Sequence, residues 1–191
     1  MLNAQYQYKL VEAGCDEVGR GCIAGPVVAA AVILPPDYKN KSIIDSKRLS
    51  HKKRKEVGQE IIDNATSWSI SEVSNNKIDE INILNASILA MHRSLDKLKV
   101  RPEFIIVDGN KFNPYKKISH ECIIKGDNKF QNIAAASILA KNYRDGLMKN
   151  LSLKYDKYSW ESNFGYPTKM HRDSIKKYGV TRYHRKSFKL L

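Results

Sequence analysis

The chain has 191 residues, 42% of them hydrophobic, and a formal net charge of +13. That length suits one substantial domain with a core of its own. No apolar run approaches the ~18 residues of a membrane-spanning helix, and segment 1–9 has no apolar signal region, so a cytoplasmic protein with no membrane partner is expected. The three cysteines, Cys15, Cys22 and Cys122, form no CxxC pair; this argues against a disulfide framework or zinc ribbon and suits a reducing compartment. The charge is uneven. Residues 39–55 hold eight Lys/Arg against one acid, and residues 154–191 hold ten against three. Two basic segments around a weakly charged middle point to a polyanion partner.

In chain order, residues 8–16 read as a first strand and 27–34 as a second, stopped by Pro35 and Pro36. Residues 37–49 are polar and basic, a loop. Ser50 then predicts the N-cap of a helix whose buried face carries Val57, Ile61 and Ile62. Residues 66–71 alternate polar and apolar, the pattern of a half-buried strand. Residues 76–99 form the clearest helical region, with Ile81, Leu84, Ile88, Leu95 and Leu98 near one face. His92 falls on that stripe and reads as a core or boundary residue rather than a ligand.

Residues 104–109 make an apolar strand ending in Asp108 and Gly109. A shorter strand over 118–124 leads into Lys125-Gly126-Asp127. Residues 131–151 predict a helix with a small face, Ala134, Ala135, Ala136 and Ala140, able to lie close to a sheet. Residues 155–167 are aromatic and irregular. Thr168 predicts the cap of a short basic helix that stops at Gly179, and 182–191 is a basic, partly exposed tail. This order predicts an α/β fold with a mixed central sheet flanked by helices. Residues 1–191 form one domain, and about 154–191 a small basic helical extension.

The chemistry concentrates in residues 13–26, the connection between the first two strands. There Asp16 and Glu17 are adjacent, and Gly19-Arg20-Gly21 and a Gly25-Pro26 turn follow. Asp108 and Asp127 also follow apolar strands. In open α/β sheets ligands gather at the carboxyl ends of strands, so the four acids are expected to converge. Converging carboxylates repel and need cations or protons; oxygen donors of this kind suit Mg2+ or Mn2+. Two such ions about 4 Å apart can drive phosphodiester cleavage. Neighbouring strand residues point to opposite faces, so Asp16 and Glu17 can share a metal cluster only if the chain leaves the extended form there. Gly14 and Gly19 make that departure easy. The segment Gly19-Arg20-Gly21-Cys22-Ile23-Ala24 also fits a dinucleotide-binding G-x-G-x-x-A pattern, but a β-like run follows it where that motif needs a helix.

The segment Gly14 to Gly21, with Ala24-Gly25-Pro26 and the strand after it, resembles the opening signature of bacterial ribonuclease HII. Asp45-Ser46-Lys47-Arg48-Leu49, Val107-Asp108-Gly109, Lys125-Gly126-Asp127 with residues 133–141 and Arg144-Asp145, Gly165-Tyr166-Pro167-Thr168, and His184 to Phe188 resemble later blocks of that family. They run in the family's order over nearly the whole chain. The resemblance implies a ribonuclease H-like fold and a monomer acting on RNA/DNA hybrids. It also implies nicking of duplex DNA at single embedded ribonucleotides, hence a place in DNA replication and ribonucleotide excision repair. Products would carry a 5′-phosphate and a 3′-hydroxyl.

The implied catalytic and metal-binding residues are Asp16, Glu17, Asp108 and Asp127, holding Mg2+ or Mn2+. Gly19, Arg20 and Gly21 would read the 2′-OH, Tyr166 the sugar at the junction, and Ser46 and Lys47 the backbone. Ser137 is placed as a structural residue of the close-packed helix. Lys169, Arg172, Arg182 and Arg185 suit contacts to a duplex backbone. Two positions depart from the family. Cys22 replaces the usual proline and is expected to loosen the turn after Arg20, and Phe130 stands where a small residue is common. A non-catalytic nucleic-acid-binding module would keep the basic charge but leave four acids beside phosphate. A transposase-type nuclease would share the carboxylates but cut all-DNA duplexes.

Overall fold

The computed structural model describes residues 2–191. Its centre is a five-stranded sheet in the order β3-β2-β1-β4-β5. The strands are β1 (Glu12–Val18), β2 (Val27–Ile33), β3 (Ser67–Val73), β4 (Phe104–Asp108) and β5 (Ser119–Ile123). The first three form an antiparallel meander, and β4 and β5 run parallel to β1. The α/β, mixed-sheet expectation holds. The helices are α1 (His51–Asn64), α2 (Asn75–Ile81), α3 (Ile83–Asp96), α4 (Gln131–Ser152), α5 (Trp160–Asn163) and α6 (Lys169–Tyr178). Among the described residues no helix is long and apolar enough to cross a membrane.

The sheet is covered on both faces. Ala13, Cys15, Ile105 and Val107 point toward α3, where Ala86, Ala90 and Met91 close one core. Val28, Ala30 and Val32 point the other way, onto Ala134 to Ala136 of α4 and Val57 and Ile61 of α1. The small face of α4 does what its composition predicts. At Gly14 an added Cβ would lie 2.3 Å from the backbone of Asn132, so only glycine admits the helix this close to β1. That approach sets the register in which α4 side chains meet the end of β1.

Both predicted caps form. Ser50 accepts the Lys53 amide and Thr168 the amide of His171, each at 3.2 Å. Three boundaries differ from expectation. The first strand starts at Glu12, because the buried Glu12 carboxylate accepts the amides of Tyr6 and Gln7 and folds the N-terminal segment back. The helical region after β3 is two helices, broken at Asn82 (φ 66°), whose side chain then caps α3. Residues 155–167 contain a 3-10 turn, Asp156–Tyr158, and the single turn of α5. His92 is half-buried, edge-on to Phe112 with Nε2 3.2 Å from the Asn113 carbonyl, a boundary residue as expected. Phe130 packs edge-on against Tyr6.

Candidate active site

The strand β1 does not break at its acids. It stays paired with β2 through Glu17↔Ala29 and Val18↔Val28, so Asp16 and Glu17 obey strand alternation, contrary to the expectation drawn from the flanking glycines. Asp16 turns to the α4 side. The Glu17 amide donates to its Oδ1 at 2.7 Å, and the nearby Ser137 hydroxyl opposes the rise in its pKa. The alternation starts Glu17 toward the other face, but at the open end of the sheet the chain need not break for it to stay within charge range of Asp16 and Asp108, and its Oε1 accepts Arg20 Nη1 at 3.1 Å.

The next strand carries Asp108 one residue past the Cys15↔Val107 pair, beside Asp16. Its Oδ1 accepts the Gly126 amide at 2.7 Å. Asp127 follows in a 3-10 turn, buried, with Oδ1 accepting Asn128 Nδ2 at 3.0 Å and Oδ2 3.9 Å from Lys47 Nζ.

These acids sit together against their electrostatics. Burial, then the charges of Glu17 and Asp108, push the Asp16 carboxyl well above the usual carboxylate range. Burial raises Asp108 too, with Asp127 adding to it and the Gly126 amide opposing. Burial also raises Glu17, and Arg20 pulls it back. Among the described residues neither Asp16 nor Asp108 has an ion-pair partner. The four carboxylates share one end of the sheet, but no three His, Cys, Asp or Glu side chains among the described residues are gathered into a ready-made metal cage. All-oxygen, like-charged, partly desolvated donors, two of the four without an ion-pair partner among the described residues, fit a hard divalent cation such as Mg2+ or Mn2+.

The Gly19-Arg20-Gly21 loop follows directly. Gly19 has φ +94°, and a Cβ there would lie 2.2 Å from Arg144 Nε. Gly21 is different. Its φ is ordinary, it is exposed, and a Cβ would meet nothing within 4 Å. Neither conformation nor packing asks for glycine at 21, and what glycine provides there is bare backbone open to a ligand. The Arg20 side chain is half exposed beside it.

Two fully buried arginines hold this loop. Arg144 donates to the carbonyls of Pro26, Phe164 and Ala24 at 2.8–3.0 Å. Arg185 donates Nε to the Gly25 carbonyl and Nη1 to that of Arg20, each at 3.0 Å. Arg185 is therefore a buried strut, not the duplex contact its sequence suggested. Arg172 likewise donates to the Lys189 and Leu190 carbonyls and pins the tail. Lys169 and Arg182 are exposed, with Arg182 lying 5.1 Å above the Tyr183 ring.

Tyr166 follows α5 and is 37% exposed. The Cys22 thiol donates to the Phe164 carbonyl, two residues before it, at 3.7 Å. The buried Cys22 thus ties the loop after Arg20 to the segment that carries Tyr166, where loosening was expected. Ser46 is buried, its Oγ 3.0 Å from Ser137 Oγ, so it reaches the site through Ser137, while the neighbouring Lys47 side chain is 80% exposed.

Sequence reasoning missed the middle of α4. Lys141 Nζ lies 2.7 Å from Asp145 Oδ1, which Arg54 Nη2 also holds through Oδ2 at 2.7 Å. The same ammonium stands 5.0 Å from the Phe164 ring and 5.8 Å from that of Tyr166. The signal was available. Lys141, Arg144 and Asp145 are charges at i, i+3 and i+4 on a helix whose small residues already marked it as buried.

A mixed five-stranded sheet with its acids at the ends of β1 and β4 and helices on both faces is the ribonuclease H-like architecture. Ribonuclease H2 from Pyrococcus horikoshii superposes with a TM-score of 0.80 at 25% identity, covering 94% of each chain. Archaeoglobus fulgidus RNase HII, solved in complex with PCNA, superposes at 0.79 with 26% identity, covering 94% of this chain and 96% of that one. The Ribonuclease HII family model matches residues 13–191. Ribonuclease HII of Christiangramia forsetii is 60% identical over 191 residues, covering 100% of this chain and 96% of the relative. That of Parabacteroides distasonis is 57% identical, covering 95% and 91%. The chain belongs to the ribonuclease HII family. It is a ribonuclease H, an endonuclease that hydrolyses RNA paired to DNA.

Proposed function

We propose that this ribonuclease nicks duplex DNA on the 5′ side of single embedded ribonucleotides as well as cutting long hybrids. In this reading Asp16, Glu17, Asp108 and Asp127 hold two divalent ions, Mg2+ or Mn2+, and a monomer acts in the cytoplasm during replication and repair. The carrying observation is the pair Asp16 and Asp108: neighbouring, partly desolvated acids without an ion-pair partner among the described residues, at the carboxyl ends of parallel strands. Bound there, the ions supply water activation and stabilisation of the departing 3′ oxygen, leaving a 5′-phosphate and a 3′-hydroxyl.

The chain's own residues do the rest. The Glu17 amide orients the Asp16 carboxylate, and the Gly126 amide orients that of Asp108. Asp127, buried beside Lys47, closes the phosphate side of the site. The exposed backbone around Gly21 meets the 2′-OH, which both donates and accepts, and Arg20 pairs with the adjoining phosphate. Tyr166 stacks on the next sugar, where a further hydroxyl interferes. Lys47, from its turn beside Ser46, takes a phosphate.

The test is cleavage of a duplex carrying one ribonucleotide, with and without divalent metal. Metal-dependent nicking 5′ of that nucleotide supports the reading. Binding without cleavage turns the protein into a binding module, and equal cutting of an all-DNA duplex removes the sugar-reading role from residues 19–21.

A further inference from the structure

The C-terminal extension buries two histidines completely, His171 on α6 and His184 in the tail. The chemistry above uses neither. Their ring nitrogens form a continuous chain of contacts. His171 Nδ1 lies 2.8 Å from the Tyr166 carbonyl oxygen. His171 Nε2 lies 3.0 Å from Trp160 Nε1 and 3.2 Å from His184 Nε2. His184 Nδ1 lies 2.8 Å from the Thr181 amide and 3.0 Å from its hydroxyl.

Three of these partners have fixed roles. An indole N–H and a backbone N–H only donate, and a carbonyl only accepts. His184 Nδ1, facing the Thr181 amide, must be the bare nitrogen, which leaves its proton on Nε2. His171 Nε2, facing the Trp160 indole, must also be bare, so its proton sits on Nδ1 and is donated to Tyr166. The His184 Nε2–H then points at His171 Nε2, which shares its lone pair with the indole. The scheme closes with both rings neutral. Burial supports it, lowering both pKa values, that of His184 to about 4.

At the far end of the chain of contacts, the Tyr166 carbonyl also accepts the Thr168 amide at 2.8 Å. With both lone pairs engaged, the plane of the 166–167 peptide is set. The backbone needs such a hold: Phe164 has φ 50° and Gly165 φ 83°, a left-handed pair that a side-chain-bearing residue rarely adopts.

We propose that His171 is a positioning residue. Locked as its Nδ1–H tautomer by Trp160 and His184, it fixes the Tyr166 carbonyl and so sets where the tyrosine ring meets the substrate sugar. The proposal rests on the reading of Tyr166 given above.

Nuclear magnetic resonance of the 15N-histidine-labelled protein reads the tautomers directly. The expected result is a proton on Nδ1 of His171 and on Nε2 of His184, and the opposite pair overturns the proposal. In cleavage assays, His171→Ala is expected to lower nicking at a single ribonucleotide about tenfold relative to cleavage of a long hybrid, the effect of one lost hydrogen bond. His171→Asn, whose amide N–H can occupy the Nδ1–H position, is expected to restore most of that ratio. Should His171→Ala fail to fold, Trp160→Phe removes the indole donor, keeps the aromatic packing, and is expected to move the same ratio in the same direction.

An unchanged ratio, or equal loss on both substrates, overturns the proposal when Tyr166→Ala does shift the ratio. If Tyr166→Ala leaves it unchanged, the sugar-reading role of Tyr166 fails instead. Amide hydrogen exchange of residues 166–168 then decides. Faster exchange in the His171 or Trp160 variant sustains the positioning role, and unchanged exchange overturns it.

Discussion

The open end of the sheet and the C-terminal extension both bury polar groups, and they do it in opposite ways. In the extension, Trp160, His171 and His184 pass hydrogen bonds from one to the next, Asn163 Nδ2 donates to the Tyr158 carbonyl, and Arg144 of α4 satisfies three carbonyls beside them. The Arg185 Nη2 is the exception, a buried donor without a partner among the described residues. At the sheet end, burial and neighbouring carboxylates raise the pKa values of Asp16, Glu17 and Asp108, and among the described residues Glu17 alone of the three has an ion-pair partner. A satisfied polar network rigidifies, whereas buried like charges destabilise until something neutralises them. The contrast is one of satisfied against unsatisfied charge: the extension holds Tyr166 and its neighbours still, and the sheet end keeps an unmet need for positive charge.

The largest test of this contrast is at the acids. Asp16→Asn or Asp108→Asn is expected to reduce turnover on a hybrid roughly a thousandfold or more, in line with the loss of a transition-state stabilising group, with duplex binding retained. The same variants are expected to melt at a higher temperature than the wild type when metal is absent. The sign follows from the raised folded-state pKa values. Above the unfolded pKa of ~3.9 the folded chain binds protons more tightly than the unfolded one, so stability falls as pH rises through that interval. Asparagine removes that loss. A lower melting temperature for both variants in chelator would show that the corner carries no repulsion.

Arg144→Met probes the other side. It strands the carbonyls of Pro26, Phe164 and Ala24, and at about 1 kcal/mol each the expected loss is about 3 kcal/mol in denaturant unfolding. A change below about 0.5 kcal/mol would mean that the loop does not depend on this strut.

Tyr166→Ala is expected to lower single-ribonucleotide nicking about tenfold, a stacking contact's worth, while long-hybrid cleavage changes less. Equal losses would reduce Tyr166 to a packing residue. The histidine pair gives a pH signature of the opposite sign to the acids. His184 titrates near 4 when folded, below its ordinary 6.5, so the unfolded chain binds the extra proton and stability is lost as pH falls from about 6.5 toward 4. Melting curves across that interval should flatten in His184→Gln. The smallest effect belongs to Lys47, 80% exposed. Lys47→Ala should reduce the slope of log kcat/KM against log salt by about one, the signature of a single phosphate contact.

Much of the catalytic end was readable from the chain. Acids after apolar runs, at the carboxyl ends of strands, mark a ligand site through topology alone, and Asp16 and Asp108 needed no more than that. The reading of Glu17 went wrong in a definite way. Flanking glycines permit a break in the strand but do not compel one, and pairing with Ala29 kept it extended. The extension was far less readable, because its order lies in contacts between residues distant in sequence. Cys22 with Phe164, Arg185 with Gly25 and His171 with His184 leave no local pattern. Arg185 shows the limit well: an arginine in a basic tail reads as a surface charge until its burial is seen.

The sequence by itself determined the class of fold, the helix caps at Ser50 and Thr168, the small face of α4, and the four acids, since each follows from periodicity, spacing or side-chain chemistry carried within a short segment. Only the tertiary structure decided which faces Asp16 and Glu17 take, which arginines are struts and which face solvent, and that Lys141 stands beside Tyr166. Those outcomes depend on desolvation and on partners brought from far along the chain, and no local pattern records either one.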